Sequence, residues 1–156
     1  MCDDGAVLHP DLKAARFIPR FSWTPPLVRF IRRLPMPPTR VPGGLSVTNR
    51  TIPGSDGAPD VRVRLYRPLG LPPAAPALLW LHGGGHLIGK PEQDDRTCLE
   101  FARRGMTVVS VDYRLAPEHP FPAAHDDCYH ALCWIHAEAP ALRIAPDRLA
   151  VMGSSA

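Results

Sequence analysis

Three short segments carry residue types that can do chemistry, and each directly follows an apolar run. They are His82-Gly83-Gly84-Gly85-His86, the run from Asp112 to Ala124, and the chain end Gly153-Ser154-Ser155-Ala156. A serine hydroxyl becomes a nucleophile when a base takes its proton, and consecutive glycines leave backbone N–H groups free to hold a developing oxyanion. Together they indicate acyl transfer through Ser155. Taken singly, the glycine segment is equally compatible with a turn built from glycines for steric reasons, and the chain end is compatible with any Gly-Ser-Ser turn.

The chain end matches the first four positions of Gly-x-Ser-x-Gly, the strand-to-helix elbow that lifts a serine hydroxyl above a sheet. Gly153 fills the first position and Ser155 the nucleophile position, so the last glycine would be residue 157. Ser154 occupies the variable position, where we expect no chemical role. Ser155 is the candidate nucleophile.

The glycine segment also has the spacing of a phosphate-binding loop through Gly84, Gly89 and Lys90. That loop needs Ser or Thr as its next residue. Here the residue is Pro91, which has neither a hydroxyl for Mg²⁺ nor an N–H for phosphate. The sequence therefore argues against nucleotide binding.

Five runs have the pattern of strands that would position these segments. Leu45–Ile52 and 61–66 alternate, and the turn-rich stretch between them predicts a hairpin. The runs 77–81, 107–111 and 149–152 are almost wholly apolar, which predicts strands buried on both faces.

Two helical patterns lie between the apolar strands. Residues 92–104 place Cys98, Phe101 and Ala102 on one face and end before Gly105, a suitable C-terminal cap. Residues 123–138 form a second stripe through Ala124, Cys128, Leu132 and Ile135. Alternating strands and helices predict right-handed crossovers and a mostly parallel α/β sheet with helices on both faces. The three chemical segments then gather at the carboxyl edge of the sheet.

The first 44 residues differ in character from the rest of the chain. They are rich in Arg, Pro and aromatic residues, and Leu27, Phe30, Ile31 and Leu34 have helical spacing. This predicts a short amphipathic helix. It is interpreted as a helix packed on the domain, as a lid over a substrate pocket, or as a membrane-surface helix.

The three segments, in this order and spacing, resemble the hormone-sensitive-lipase-like esterases of the α/β-hydrolase fold. The likeness is most specific in Tyr-Arg-Leu-Ala-Pro-Glu-His-Pro-Phe-Pro-Ala-Ala, residues 113–124, and it covers about residues 45–156. Ser154 departs from the family pattern, since many members carry an acid there. The resemblance implies one incomplete catalytic domain over 45–156 and a helical lid or cap segment over 1–44.

The resemblance also assigns residue roles. Ser155 would be the nucleophile, with backbone N–H groups of Gly84, Gly85 and Ala156 as the oxyanion hole. We expect His86 to lie near the mouth of the acyl site. The remaining predicted supports of the site are His82, Gly83, Asp112, Tyr113, Arg114, Glu118 and Asp127.

The general base is not assigned to any of the seven histidines in the chain. In the α/β-hydrolase order the acid and then the histidine follow the serine, which places both beyond residue 156. We therefore expect these 156 residues alone to be nearly inactive and marginally stable, with the apolar edge of the 149–152 strand exposed. His125, His130 and His136 lack the i, i+4 spacing of a helical metal site.

Composition narrows the class of protein further. The net charge is +3 and the basic residues are dispersed, which gives little support to nucleic-acid binding. The sequence contains no run of about 18 apolar residues, so it predicts no membrane-spanning helix. The four cysteines show no Cys-x-x-Cys spacing, which favours buried free thiols in a reducing cytoplasm over a zinc site or disulfides.

The predicted function is hydrolysis of a small-molecule carboxylic ester of short or medium acyl length, without a metal or organic cofactor. Amides, formamides and lactones stay open, because the same residues cleave them in related hydrolases. A ligand-binding protein that has lost catalysis and a fragment without function are the alternatives. The oligomeric state is not predicted.

Overall fold

The computed structural model describes residues 23–54 and 57–155. Its elements follow one another along the chain as α1 (Pro25–Arg33), β1 (Leu45–Ile52), β2 (Val61–Pro68), β3 (Ala75–Leu81), a 3₁₀ turn (Pro91–Asp94), α2 (Asp95–Arg103), β4 (Thr107–Asp112), α3 (Ala123–Ala137), α4 (Ala139–Leu142) and β5 (Ile144–Gly153). The predicted strands and helices are therefore all present, with the helix expected over 92–104 divided into a 3₁₀ turn and α2.

The strands form one mixed sheet in the order β1-β2-β4-β3-β5. The predicted hairpin is confirmed, since β1 pairs antiparallel with β2 from Leu45 opposite Pro68 to Ile52 opposite Val61. β2 is also antiparallel to β4, whereas β3 runs parallel to both β4 and β5. The parallel half of the sheet is the half that carries the three chemical segments.

Helices cover both faces of this sheet, as predicted. On one face Leu79 and Val109 pack with Ala131 and Ile135 of α3. The opposite face has its own core, in which neighbouring strand residues pack with α2: Tyr66, Leu78, Trp80, Cys98, Ala102 and Val108. Alternate residues of β3 serve the two cores, which explains why its sequence is apolar without interruption.

Three packing expectations were wrong. β5 lies at the sheet edge, as expected for these 156 residues alone, but it is not buried on both faces: Val151 is 51% exposed because no described helix covers that end of the strand. On α1 it is Val28 that is buried, while Phe30 is 61% exposed. Cys133, expected to be buried, is exposed on α3; Cys98 is buried, and all the cysteines that the structure describes are free.

Candidate active site

The carboxyl ends of β3, β4 and β5 lie side by side and in register. Leu81, near the end of β3, is opposite Val111 of β4 on one side and opposite Gly153 of β5 on the other. The glycine segment, the Asp112–Ala124 segment and the serine elbow therefore leave the sheet at the same level. The structure thus brings together the three segments that the sequence singled out.

The serine elbow begins with a hydrogen bond across the two strands. The Ser154 N–H donates to the carbonyl oxygen of Leu81 at 3.2 Å, one residue past the last pair of the ladder. Ser155 then has φ of +60° and an exposed position. A left-handed backbone is costly for a residue with a Cβ atom and is typical of a strained turn that presents a nucleophile. Ala156, the third predicted oxyanion donor, lies outside the described residues.

The glycine loop packs directly on this elbow. A Cβ atom placed on Gly83 would lie 1.9 Å from the carbonyl oxygen of Ser154, and one on Gly84 would lie 2.1 Å from the carbonyl oxygen of Ile88. Gly84 and Gly85 have φ of +133° and +59°. Glycine is therefore required at 83 by contact, at 85 by backbone conformation and at 84 by both.

The loop turns tightly after Gly84, whose carbonyl oxygen accepts the N–H groups of Leu87 and Ile88, both at 3.1 Å. By contrast, the N–H groups of Gly84 and Gly85 donate to no acceptor within the part of the chain that the structure describes. Two adjacent free donors on a fixed turn have the chemistry that a developing oxyanion needs.

His82 supports the loop from below rather than reaching into the site. It is buried, its Nδ1 donates to the Gly83 carbonyl oxygen at 3.1 Å, and its ring stacks on Tyr113 with 4.1 Å between centroids. Burial lowers the pKa of His82 below its usual 6.5, which favours the neutral ring. Its Nε2 has no hydrogen-bond partner among the described residues.

Tyr113 and Gln93 fix two successive carbonyl groups of the backbone, those of His82 and Gly83. The Tyr113 hydroxyl donates to the carbonyl oxygen of His82. Burial raises the pKa of Tyr113, so the group stays a neutral donor. Gln93 Nε2 donates to the Gly83 carbonyl oxygen at 3.0 Å. Gln93 could not be predicted from the sequence, because a polar residue in the first turn of a helix is common.

The charged residues predicted as supports each have an ionic partner. Arg114 binds Asp127 with its guanidinium and also with its backbone N–H at 2.8 Å, and Asp127 is buried. Asp112 pairs with Arg62 at 2.6 Å. Buried carboxylates are stable when they are paired and hydrogen-bonded, as Asp127 is.

Glu118 pairs with Arg32 of α1 at 2.7 Å. That hydrogen bond is the main cause that lowers the pKa of the exposed Glu118 carboxyl. Arg32 and Arg62 were not predicted as part of the site, because arginines on a helix face or on an alternating strand are ordinarily solvated.

His86 lines an apolar cavity of about 470 Å³ beside the glycine loop. Its walls come from the ends of β3 and β4, the Pro-rich segment and the start of α3: Leu81, His86, Tyr113, Ala116, His119, Phe121, Pro122, Ala124, His125 and Cys128. An apolar cavity next to free backbone donors is suited to the hydrocarbon part of a small molecule.

The other histidines have ordinary positions. His130 contacts the carbonyl oxygen of Pro53, which ties α3 to the hairpin, and His125 is exposed. In residues 23–54 and 57–155, no histidine hydrogen-bonds to Ser155, and no cluster of His, Cys, Asp and Glu could hold a metal. His9 lies outside the described residues.

None of the described helices is long and apolar enough to cross a bilayer.

Comparison with known proteins identifies the family. A family described as alpha/beta hydrolase fold matches residues 78–156, a stretch that contains the glycine loop and the serine elbow. The chain belongs to this family, in its hormone-sensitive-lipase-like branch. The predicted fold class is thereby confirmed.

Several of the relatives and solved structures that match this chain are named as ester hydrolases. Carboxylesterase NlhH of Mycobacterium tuberculosis is 42% identical over 127 residues, which cover 81% of this chain and 39% of the relative. An ethyl acetate hydrolase of Pseudomonas putida is 47% identical over 96 residues, covering 60% of this chain and 30% of that protein. A solved bacterial heroin esterase is 47% identical with a TM-score of 0.69, covering 71% of this chain and 35% of that structure. This chain thus spans well under half the length of its relatives.

Proposed function

We propose that the protein containing this chain is a carboxylic ester hydrolase with Ser155 as its nucleophile. The observation that carries the proposal is the contact between the glycine loop and the serine elbow, with Gly83 against the carbonyl oxygen of Ser154 and Ser155 exposed at φ of +60°. This contact supports the proposal, because acyl transfer requires a nucleophile beside free backbone donors.

In the proposed reaction the Ser155 hydroxyl loses its proton to a base and its Oγ attacks the ester carbonyl carbon. The N–H groups of Gly84 and Gly85, with that of Ala156, hold the resulting oxyanion. The intermediate collapses, the alcohol leaves with a proton, and water then hydrolyses the acyl-enzyme. The base and its orienting acid are proposed to come after residue 156, in the order typical of the family.

The substrate is proposed to be a small ester with a short acyl group. The apolar cavity beside His86 supports a substrate with a hydrocarbon part. Ethyl acetate, named for the Pseudomonas putida relative, has a two-carbon acyl group. We also propose that residues 1–44 act as a lid or cap, supported by the docking of α1 on the loops of the site. A cytoplasmic location is supported by the unpaired thiols of Cys98, Cys128 and Cys133.

The test uses the protein encoded when the reading frame is followed past Ala156. The wild type is compared with Ser155→Ala and with the matched control Ser154→Ala on p-nitrophenyl acetate, p-nitrophenyl decanoate and p-nitroacetanilide. We expect hydrolysis of the acetate ester to be lost in Ser155→Ala and kept in Ser154→Ala, because only Ser155 is the proposed nucleophile. Faster cleavage of the acetate than of the decanoate or the anilide would support a short-chain esterase.

Mass spectrometry adds a direct readout of the nucleophile. A fluorophosphonate probe should modify the wild type on the peptide that contains Ser155 and leave Ser155→Ala unmodified. Equal hydrolysis by the wild type and Ser155→Ala would overturn the proposal. An inert wild type would also overturn it, as would a stop codon directly after Ala156 combined with an inert 156-residue protein. Ligand binding without catalysis would then be the function to test.

A further inference from the structure

Arg32 joins the helix α1 to two separate segments of the candidate site. Its Nε donates to the carbonyl oxygen of Leu87 at 2.8 Å, and its Nη2 donates to the carbonyl oxygen of Ala116. Its Nη1 pairs with Glu118 at 2.7 Å. The two contacts with carbonyl oxygens are partly buried, whereas the contact with Glu118 is exposed. One guanidinium therefore contacts the glycine loop and the Pro-rich segment at the same time.

Both residues held by Arg32 are hydrogen-bonded to the glycine loop through their own N–H groups. The N–H of Leu87 donates to the carbonyl oxygen of Gly84, so the residue held by Arg32 also closes the turn that holds the peptide group between Gly84 and Gly85, which carries the Gly85 N–H. The N–H of Ala116 donates to the carbonyl oxygen of His86 at 2.9 Å. Leu87 and Ala116 are therefore held twice: their carbonyl oxygens bind Arg32, and their N–H groups bind the glycine loop.

Arginine is the side chain that can make this contact. Its planar group has five N–H donors in a fixed fork, so it can serve three acceptors in different directions. A lysine ammonium is a compact group on a flexible stem and cannot serve the same three acceptors with the same geometry. Lys90 adds a second link, because its Nζ donates to the carbonyl oxygen of Leu34 just past α1 at 3.1 Å.

We propose that Arg32 is a positioning residue for the oxyanion hole, so that α1 is part of the catalytic apparatus in addition to any role as a lid. The inference rests on the proposed function. By holding Leu87 and Ala116, Arg32 fixes the orientation of the free N–H groups of Gly84 and Gly85 with respect to Ser155. These donors act on charge that develops in the transition state, so their alignment changes kcat more than substrate binding.

The alternative is that Arg32 merely anchors a lid. Loss of an anchor would alter substrate access and raise KM, whereas loss of donor alignment lowers kcat at nearly constant KM. Removing one oxyanion donor outright costs about 100- to 1000-fold in kcat, and misaligning donors that are still present should cost less, about 10- to 100-fold.

The kinetic experiment uses the longer, ester-hydrolysing protein. Four variants are compared with it on p-nitrophenyl acetate: Arg32→Ala, Arg32→Lys, Glu118→Gln and the control Arg33→Ala. We expect kcat to fall about 10- to 100-fold in Arg32→Ala with KM changed less than about threefold. Arg32→Lys should recover little of the lost kcat. Arg33→Ala should match the wild type, because Arg33 is exposed and makes no described hydrogen bond. A change in KM alone would overturn the proposal.

Glu118→Gln separates the carboxylate from the two carbonyl contacts. An exposed ion pair contributes little, so this variant should lose less than about threefold in kcat. A loss in Glu118→Gln as large as that in Arg32→Ala would contradict the assignment, because the ion pair rather than the carbonyl contacts would then carry the effect.

Amide hydrogen exchange supplies a readout that does not need activity. In the longer protein carrying Arg32→Ala, the N–H groups of Leu87, Ile88 and Ala116 should exchange at least about tenfold faster than in the wild type. The N–H of Val109 in β4 should keep its rate. Unchanged loop exchange would overturn the proposal. Faster exchange throughout the sheet would also overturn it, because Arg32 would then support the whole domain. An inert wild type with faster loop exchange in Arg32→Ala would instead reject the proposed function and leave the ordering role of Arg32 standing.

Discussion

The backbone of Gly83 lies against the carbonyl oxygen of Ser154, so close that a Cβ atom on the glycine would be 1.9 Å from that oxygen and 3.5 Å from Cβ of Ser155. The glycine loop and the serine elbow follow different strands, and Gly83 and Ser154 are 71 residues apart in the chain. This contact leaves no room for a side chain at residue 83. It follows that a single methyl group at residue 83 should move the two halves of the candidate site apart.

Gly83→Ala tests this contact. The added methyl group meets a backbone oxygen, which cannot rotate away, so we expect a loss of about 1–3 kcal/mol in the free energy of unfolding. We also expect a fall in kcat of about 100-fold in the longer protein, because a shift of about 1 Å misplaces the donors. Urea unfolding and ester hydrolysis measure the two effects. Gly43→Ala is the matched control, since an added Cβ there meets nothing within 4 Å; equal effects of both variants would contradict the steric explanation.

Tyr113→Phe removes the hydroxyl that donates to the carbonyl oxygen of His82 and keeps the ring that stacks on His82. We expect the free energy of unfolding to fall by about 1–3 kcal/mol, because a buried acceptor loses its partner. Activity of the longer protein should fall as well, since the peptide before Gly83 loses a restraint. Tyr129→Phe, in which the tyrosine is 63% exposed, should behave as the wild type in both measurements.

Asp127→Asn weakens the bond that holds the Pro-rich segment on α3. Asp127 is buried and accepts hydrogen bonds from the guanidinium and the backbone N–H of Arg114. Hydrogen bonds to charged groups contribute about 1.5–3 kcal/mol, and we expect a loss of that size in the free energy of unfolding. Asp126→Asn, at a neighbouring exposed position, should lose less than about 0.5 kcal/mol. Equal losses in urea unfolding would show that the charge, and not its buried pairing, matters.

The pH dependence of stability should report the burial of His82. Its folded-state pKa lies below the usual 6.5, so as pH falls through 6.5 the unfolded chain takes up a proton that the folded chain does not. The stabilising contribution is complete above about pH 6.5 and is lost towards the lower folded-state pKa, with a slope of at most about 1.4 kcal/mol per pH unit for one proton.

Unfolding curves of the wild type and His82→Gln between pH 7.5 and 5 measure this slope. The difference between the two proteins should vary with pH only below about 6.5. A second measurement keeps the prediction testable if His82→Gln does not fold. The imidazole carbon resonances of His82 in the wild type should titrate below 6.5; titration at or above that value would contradict the prediction.

Much of the fold was predictable from local pattern. The alternation of 45–52 and 61–66 predicted the hairpin, and the apolar runs that end at Leu81 and Val111 predicted buried parallel strands. Gly105, with φ of +87°, follows α2 as expected for a cap. These features depend on the side-chain period and on turn chemistry, both of which are local properties of the chain.

The sequence by itself determined which residues can do chemistry: the serine at 155, the glycines at 83–85 and the strands that precede them. The tertiary structure alone decided what holds them in place. Arg32 binds the backbone carbonyl group of Leu87, and Gln93 binds that of Gly83. Every residue has such a group, so the sequence does not show which one a side chain will bind. The exposure of Val151 was likewise decided by strand order, because burial depends on which neighbours the sheet and its helices provide and not on the apolar character of the strand.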